Sequence, residues 1–145
     1  MSTAVDSANL ILKLYELRRE DTMRKARDFT FTFDPKSAQE YVAGVMGPNG
    51  AYIRMVTSYW EMAASLVVNG AIDATMFDQA NGEHVFVFAK IEPILAELRS
   101  MMPGVFKSLE HVCLNAPVGI ERVRAVQERL RGMQAARAAA ASASN

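Results

Sequence analysis

The segment from Ala51 to Asn69, AYIRMVTSYWEMAASLVVN, constrains the fold most, because it is apolar around almost its whole circumference. Its polar residues recur at spacings of three and four, which places them in one narrow stripe of an α-helix. They are Arg54, Thr57, Ser58, Glu61, Ser65 and Asn69. The rest of such a helix has to be covered on several sides. The pattern therefore predicts an all-α domain built around a central apolar helix, residues 51–69.

Shorter helical patterns flank this segment, and proline and glycine residues separate them. The first begins near Asp6 or Ser7, either of which could cap it. Ser37 and Glu40 have the spacing of a capping box that opens a short helix. A later apolar pattern contains Pro93, which predicts a kink or the start of a new helix, because proline lacks the backbone N–H.

We expect one helical bundle of about six helices over residues 1–134. The Ala/Ser-rich tail, residues 135–145, has nothing to bury, so we expect it to be disordered. One segment departs from the helical pattern, because Phe29, Phe31 and Phe33 alternate with polar residues. A period of two predicts an extended connector that presses three rings onto the core.

The composition argues against several functional classes. Sixteen Lys and Arg balance sixteen Asp and Glu, so no overall field attracts nucleic acid or an anionic membrane. The single cysteine, Cys113, excludes an internal disulfide and fits a reducing compartment. The sequence shows neither a secretory signal nor the run of roughly 20 apolar residues that a bilayer span needs. We therefore expect a cytoplasmic protein without a membrane partner.

The acidic stretch NGAIDATMFDQANGEH, residues 69–84, could be a metal loop or a corner between helices. A calcium loop with Gly82 at its sixth position would put Phe77 and Phe88 at ligand positions, so that pattern fails. Gly70 instead fits the end of the central helix, and Asp73 fits the cap of the next one. The stretch predicts a corner, and we expect neither a metal nor a cofactor.

The region from Tyr52 to Arg99 resembles a bacterial helical domain family of unknown function. The resemblance lies in a Gly-x-Ile-Asp corner, formed here by Gly70, Ile72 and Asp73, and in a later helix with Pro-Ile-Leu-x-Glu-Leu-Arg, here Pro93–Arg99. It covers roughly a third of the chain by its motifs. The resemblance implies a helical fold and carries no assigned activity.

The polar stripe of the central helix is the main candidate for a ligand or anion site. Arg54, Ser58 and Glu61 lie on it, and Trp60 is adjacent in sequence. If the stripe is enclosed, it must face a pocket or form an internal ion network, because unpaired buried charge is costly. If it is exposed, it is the solvated face. We favour the solvated face or a structural network, and we assign no catalytic residue.

His111 and Cys113 lie two positions apart, so a helix points them about 200° from each other and they cannot clamp one ion. A buried thiol that acts as a small apolar group is the favoured interpretation of Cys113. A thiolate paired with His84 or His111 through the fold is the open alternative.

The last helical pattern has apolar residues at spacings of three, four and three: Val123, Val126, Leu130 and Met133. This is the seam of a two-heptad coiled coil, or a stripe packed on the bundle. Five arginines lie nearby, but Glu121 and Glu128 interrupt them and no aromatic residue interleaves to stack on bases. Nucleic acid is therefore a disfavoured partner.

The leading functional hypothesis is a noncatalytic interaction or scaffold module that binds itself or another protein, through the C-terminal seam or another apolar helix face. The first alternative is a small-molecule-binding or enzymatic bundle that uses Arg54 and Glu61. The second is an accessory nucleic-acid binder that uses the C-terminal arginines.

Overall fold

A computed structural model describes residues 2–145, and every regular element in that part of the chain is helical. The α-helices are α1 (Ala4–Arg18), α2 (Asp21–Thr32), α3 (Ala38–Met46), α4 (Gly50–Val68), α5 (Ala74–Ala80), α6 (Glu83–Ile91), α7 (Leu95–Met101), α8 (Lys107–Asn115) and α9 (Gly119–Ala143), with a 3₁₀ turn, Glu92–Ile94, between α6 and α7. The all-α prediction is confirmed. The expected number of about six helices is approximate, because short turns divide several of the patterns.

Helix α4 is the centre of the bundle, as its sequence predicts. Helices α2, α3 and α8 pack against it, and Trp60 and Ala63 have no exposed surface. The hydroxyl of Tyr59 donates to the backbone carbonyl of Leu14 and so joins α4 to α1. Burial raises the pKa of Tyr59 to about 12, which keeps this hydroxyl protonated as a donor.

The acidic stretch after α4 forms a corner between helices. Gly70 has φ +76°, and its N–H donates to Val67 O at 3.0 Å while that of Ala71 donates to Leu66 O at 2.9 Å. These two bonds form a Schellman motif at the end of the helix. The motif requires a left-handed backbone at position 70, which glycine adopts without strain. The Asp73 carboxylate then accepts from Met76 N at 2.8 Å and caps α5. Capping therefore explains both Gly70 and Asp73.

The predicted extended connector at Phe29–Phe33 is wrong, because α2 continues as far as Thr32. Phe29 and Phe33 stack four residues apart, with ring centroids at 6.0 Å, and Phe31 is exposed and stacks on Phe86. Aromatic residues at every second position therefore also fit a short helix. The first and third rings face the core, and the second ring faces outward.

The predicted start of the first helix is also displaced. Helix α1 begins at Ala4, and Thr3 is its cap. The side chains of Thr3 and Asp6 bond each other's backbone N–H groups, so Asp6 lies inside the first turn as the second half of a capping box.

Helix α9 packs along α6 and α8. Val123, Val126 and Leu130 are buried by these contacts and Met133 is half-buried, so the C-terminal stripe packs on the bundle and does not form a free seam on the surface. Helix α9 continues to Ala143, and residues 138–145 are exposed. The domain limit at residue 134 and the disorder of the tail stay predictions.

Candidate functional site

Arg54, the first charged residue of the stripe, binds the end of a neighbouring helix. Its guanidinium donates to Val45 O at 2.9 Å, near the C-terminus of α3. The corner between α3 and α4 is tight, since a Cβ on Gly50 would lie 1.8 Å from that same carbonyl. Arg54 therefore satisfies a carbonyl that has no partner within its own helix.

Glu61 caps a helix that is distant in sequence. Its carboxylate accepts from Ser108 N at 3.0 Å and from Leu109 N at 2.8 Å, in the first turn of α8. The N-cap position of α8 is Phe106, whose side chain forms no capping bond. A carboxylate also interacts favourably with the positive end of the helix dipole. Glu61 thus supplies the cap that the local sequence lacks.

An open groove of about 550 Å³ runs beside the stripe and is lined by Arg54, Ser58, Glu61 and the segment Gly104–Phe106. Arg54 and Ser58 are exposed and Glu61 is half-buried. Both charged groups bind backbone groups at helix ends, and they do not pair with each other, so the structure shows no ion network between them among the residues it describes. Trp60 is fully buried outside this groove, so the structure does not bring it together with the other three candidate residues.

Trp60 belongs to a second polar cluster, which the sequence does not reveal. Its indole N–H donates to Glu83 Oε1 at 3.1 Å, and Glu83 also pairs with Arg27, whose Nη2 lies 2.7 Å from Oε2. The guanidinium of Arg18 lies 5.1 Å from the Trp60 ring centroid, within range of a cation–π interaction. Arg27 and Glu83 are separated by 56 residues, so no local spacing indicates their contact.

His84 is fully buried beside this cluster, with its ring 5.0 Å from Phe77 and 5.7 Å from Trp60. Among residues 2–145, neither ring nitrogen has a hydrogen-bond partner. Burial, assisted by the charge of Arg122, lowers the pKa of His84 to about 4. The imidazole is therefore neutral at pH 7, and it has no exposed edge from which to exchange a proton with a substrate.

Cys113 is buried next to the backbone of His84. Its Sγ lies 3.8 Å from the carbonyl oxygen of His84, and burial raises the pKa of the thiol to about 12. A thiol with such a pKa is protonated at neutral pH and is a poor nucleophile. His111 is exposed on α8. The favoured interpretation, a buried thiol that acts as a small apolar group, agrees with this environment.

Lys90 binds the C-terminal end of α2. Its ammonium donates to the carbonyls of Thr30, Phe31 and Phe33 at 2.7, 2.7 and 3.0 Å, and it lies 3.1 Å from Asp34 Oδ1. Burial lowers the pKa of Lys90, and the hydrogen bond to Asp34 opposes that shift. The side chain has acceptors for all its donors, so it acts here as a helix cap.

A small apolar cavity of about 60 Å³ adjoins Lys90 and is walled by Tyr41, Ile53, Val56 and Ile91 among others. An engineered protein cavity that admits benzene measures about 150 Å³. The cavity is therefore too small for a ring-sized ligand unless the helices move.

Three arginines of α9 pair with acidic residues of other parts of the chain. Arg122 pairs with Asp78, Arg124 Nη1 lies 2.7 Å from Glu92, and Arg137 Nη2 lies 2.6 Å from Asp34. These pairs use charge that a nucleic-acid surface would present to phosphates. They attach α9 to α5, to the 3₁₀ turn and to the segment after α2.

The part of the chain that the structure describes contains no cluster of three or more His, Cys, Asp or Glu residues placed to hold a metal ion. None of its helices has both the length and the apolar character needed to cross a bilayer.

Residues 3–115 match the model of a family described as a domain of unknown function, DUF4760, and the match includes α1 to α8. Nothing among curated proteins or solved structures matches the chain.

Proposed function

The chain belongs to the DUF4760 family of domains of unknown function, and from that premise we propose that it is a noncatalytic interaction module that binds a second copy of itself through the outward face of α1. Two kinds of observation support the proposal. The charged groups of the candidate site bind helix ends within the chain, and α1 carries an apolar face that no other helix of residues 2–145 covers.

Helix α1 is apolar on two opposite sides, and this observation carries the proposal. Its inner side, with Leu14 and the partly buried Leu10 and Ile11, packs against the bundle. On its outer side Val5, Leu12 and Tyr15 are 70%, 61% and 50% exposed. Together with Ala8 they recur at spacings of three, four and three, which is the spacing of a coiled-coil seam. We call these four residues the α1 seam.

The α1 seam fits an antiparallel copy of itself. Antiparallel pairing about the middle of the helix sets Val5 opposite Tyr15 and the small Ala8 opposite Leu12, so both copies use the same surface, as a two-fold interface requires. Antiparallel pairing also sets the opposed dipoles of the two helices side by side.

The exposed side chains limit the strength of this interface. Burying the large seam residues contributes about 1–2 kcal/mol each, and association itself costs about 4 kcal/mol or more. The six large side chains of two copies therefore leave at most about 8 kcal/mol, which corresponds to a Kd of about 1 μM at the tightest, so self-association depends on concentration.

Sedimentation velocity at chain concentrations from about 1 μM to about 1 mM tests the proposal. Leu12→Lys puts a charge in the centre of the α1 seam and is expected to weaken the dimer about tenfold or more. Met46→Lys is the matched control, because Met46 is 80% exposed on α3 and lies outside the seam. A wild-type chain without an α1-dependent dimer, or equal effects of the two substitutions, would refute the proposal.

Small-molecule binding is a second candidate, and the groove beside Arg54 and Glu61 is the observation in its favour. A ligand that prefers the folded state raises the melting temperature. We expect Ser58→Phe to remove the effect of such a ligand by filling the groove. A panel of carboxylates, phosphates and amines that produces no shift would eliminate this candidate.

A further inference from the structure

The turn between α8 and α9 contains a strained residue. Val118 has φ 59° and ψ 2°, a left-handed conformation that is unfavourable for a β-branched residue. Its side chain is 65% exposed, so packing does not stabilise this conformation. Phe106 is the other left-handed non-glycine residue among those described, but it is buried, with its ring edge-on to Tyr41 at 6.3 Å. Packing thus compensates the strain at Phe106, whereas Val118 lacks such compensation.

The position of α9 imposes the strain on Val118. Gly119 lies so close to the end of α8 that a Cβ there would be 2.4 Å from Leu114 O, and Gly119 N donates to Ala116 O at 2.9 Å. We call residues 116–118 the hinge. It folds α9 back on α8 within three residues, and a conformation of this kind persists only while the surrounding contacts enforce it.

The hinge has an open alternative that relieves the strain. Ala116 is already extended, with φ −67° and ψ 158°. Pro117 cannot continue α8, because proline has no N–H to donate and clashes with the preceding turn. An opened hinge is therefore extended, Val118 returns to negative φ, and α9 projects away from its own bundle.

In a second copy of the chain, α9 can bind the same surface of α6 and α8 that it leaves in its own copy. The buried stripe of α9 packs on α6 and α8, and its polar contacts join Gln127 to Ala89 O at 3.1 Å and Gln134 to Lys36 at 2.9 Å. Every one of these partners precedes the hinge. Exchange between two copies would therefore restore each contact once per chain, and only the hinge would differ from the closed form.

We propose that α9 exchanges between two copies of this chain, giving a domain-swapped dimer in which the strain at Val118 is released. Short strained hinges favour such exchange. This interface is separate from the α1 seam. A chain that uses both interfaces links swapped dimers into larger assemblies, as a scaffold requires.

Cross-linking in a mixture of unlabelled and ¹⁵N-labelled chains tests the exchange of α9 directly. Gln134→Glu places a carboxylate beside the ammonium of Lys36, so a carbodiimide can join the two side chains. Unlabelled and ¹⁵N-labelled chains of this variant are unfolded together, refolded as a mixture and cross-linked. Half of the swapped dimers from an equal mixture contain one light and one heavy chain, and in these the cross-linked peptide that joins Lys36 to position 134 pairs a light half with a heavy half. Cross-linked peptides that are all light or all heavy would overturn the proposal.

The hinge variants test the cause. Val118→Gly removes the strain, because glycine accepts a positive φ, and the Kd of the swapped dimer is expected to rise about tenfold or more. Ala116→Gly is the matched control, since it adds a glycine to the hinge where no strain exists. Equal swapped fractions in the two variants would refute the role of Val118. Leu12→Lys should leave the mixed peptides unchanged, which separates this proposal from the α1 seam.

Discussion

Replacing Glu61 separates a structural role from a role in binding or catalysis. Its carboxylate accepts two backbone N–H groups of α8, at 3.0 and 2.8 Å. Hydrogen bonds to a charged group contribute about 1.5–3 kcal/mol each, and loss of a helix cap typically costs about 1 kcal/mol. Because Glu61 is half-buried, we expect Glu61→Ala to lower the free energy of unfolding by about 2–3 kcal/mol. Glu61→Gln keeps one acceptor oxygen and should cost about half of this.

Urea unfolding followed by circular dichroism at 222 nm measures these differences. In a domain of this size, a loss of 2–3 kcal/mol lowers the melting temperature by roughly 5–10 °C. Glu128→Ala is the control, since its side chain is 70% exposed and pairs only with Arg131 within α9. A Glu61→Ala variant as stable as Glu128→Ala would refute the reasoning, and would return Glu61 to the set of free charges available for a ligand.

Two further substitutions test the buried polar groups. The pKa of His84 is about 4 in the folded chain, against an ordinary value of 6.5. Between pH 6.5 and pH 4 the unfolded chain therefore binds a proton at His84 that the folded chain does not, so the folded chain loses stability as the pH falls through this range. The loss is about 1.4 kcal/mol per pH unit, and His84→Leu should abolish this contribution in urea titrations at pH 7, 6 and 5. Lys90→Met leaves three carbonyls at the end of α2 without their donor, so we expect it to lower the free energy of unfolding by about 3 kcal/mol. An unchanged melting temperature would contradict the capping role of Lys90.

Local sequence patterns predict the helices of this chain well. The stripe of α4 identifies the central helix, Gly70 and Asp73 identify the corner, and Pro93 lies in the 3₁₀ turn that separates α6 from α7. In each case the physical cause lies within a few residues of the pattern. The phenylalanine alternation at Phe29–Phe33 misleads because a short segment with period two has too few residues to exclude a helix.

The candidate site depends on contacts that no local pattern encodes. Glu61 has the sequence environment of a polar residue on a helix face, and its role depends on α8, which begins 46 positions later at Lys107. Lys90 is the one charged residue within the apolar run VFVFAKI, and this is a weak signal that its head binds something inside the protein. Trp60 is buried and Ser58 is exposed, and this difference also depends on which helices cover each side of α4.

Native-state hydrogen exchange tests most directly the claim that side chains from distant helices complete the helix ends of this protein. The N–H groups of Ala38, Asp73, Ser108 and Leu109 donate to the side chains of Glu97, Ser7 and Glu61, although N–H groups at helix starts ordinarily lack partners. We expect these four amides to exchange at rates close to those of the α4 core. Exchange as fast as in the first turn of α9, whose cap position Val118 forms no side-chain bond, would contradict it.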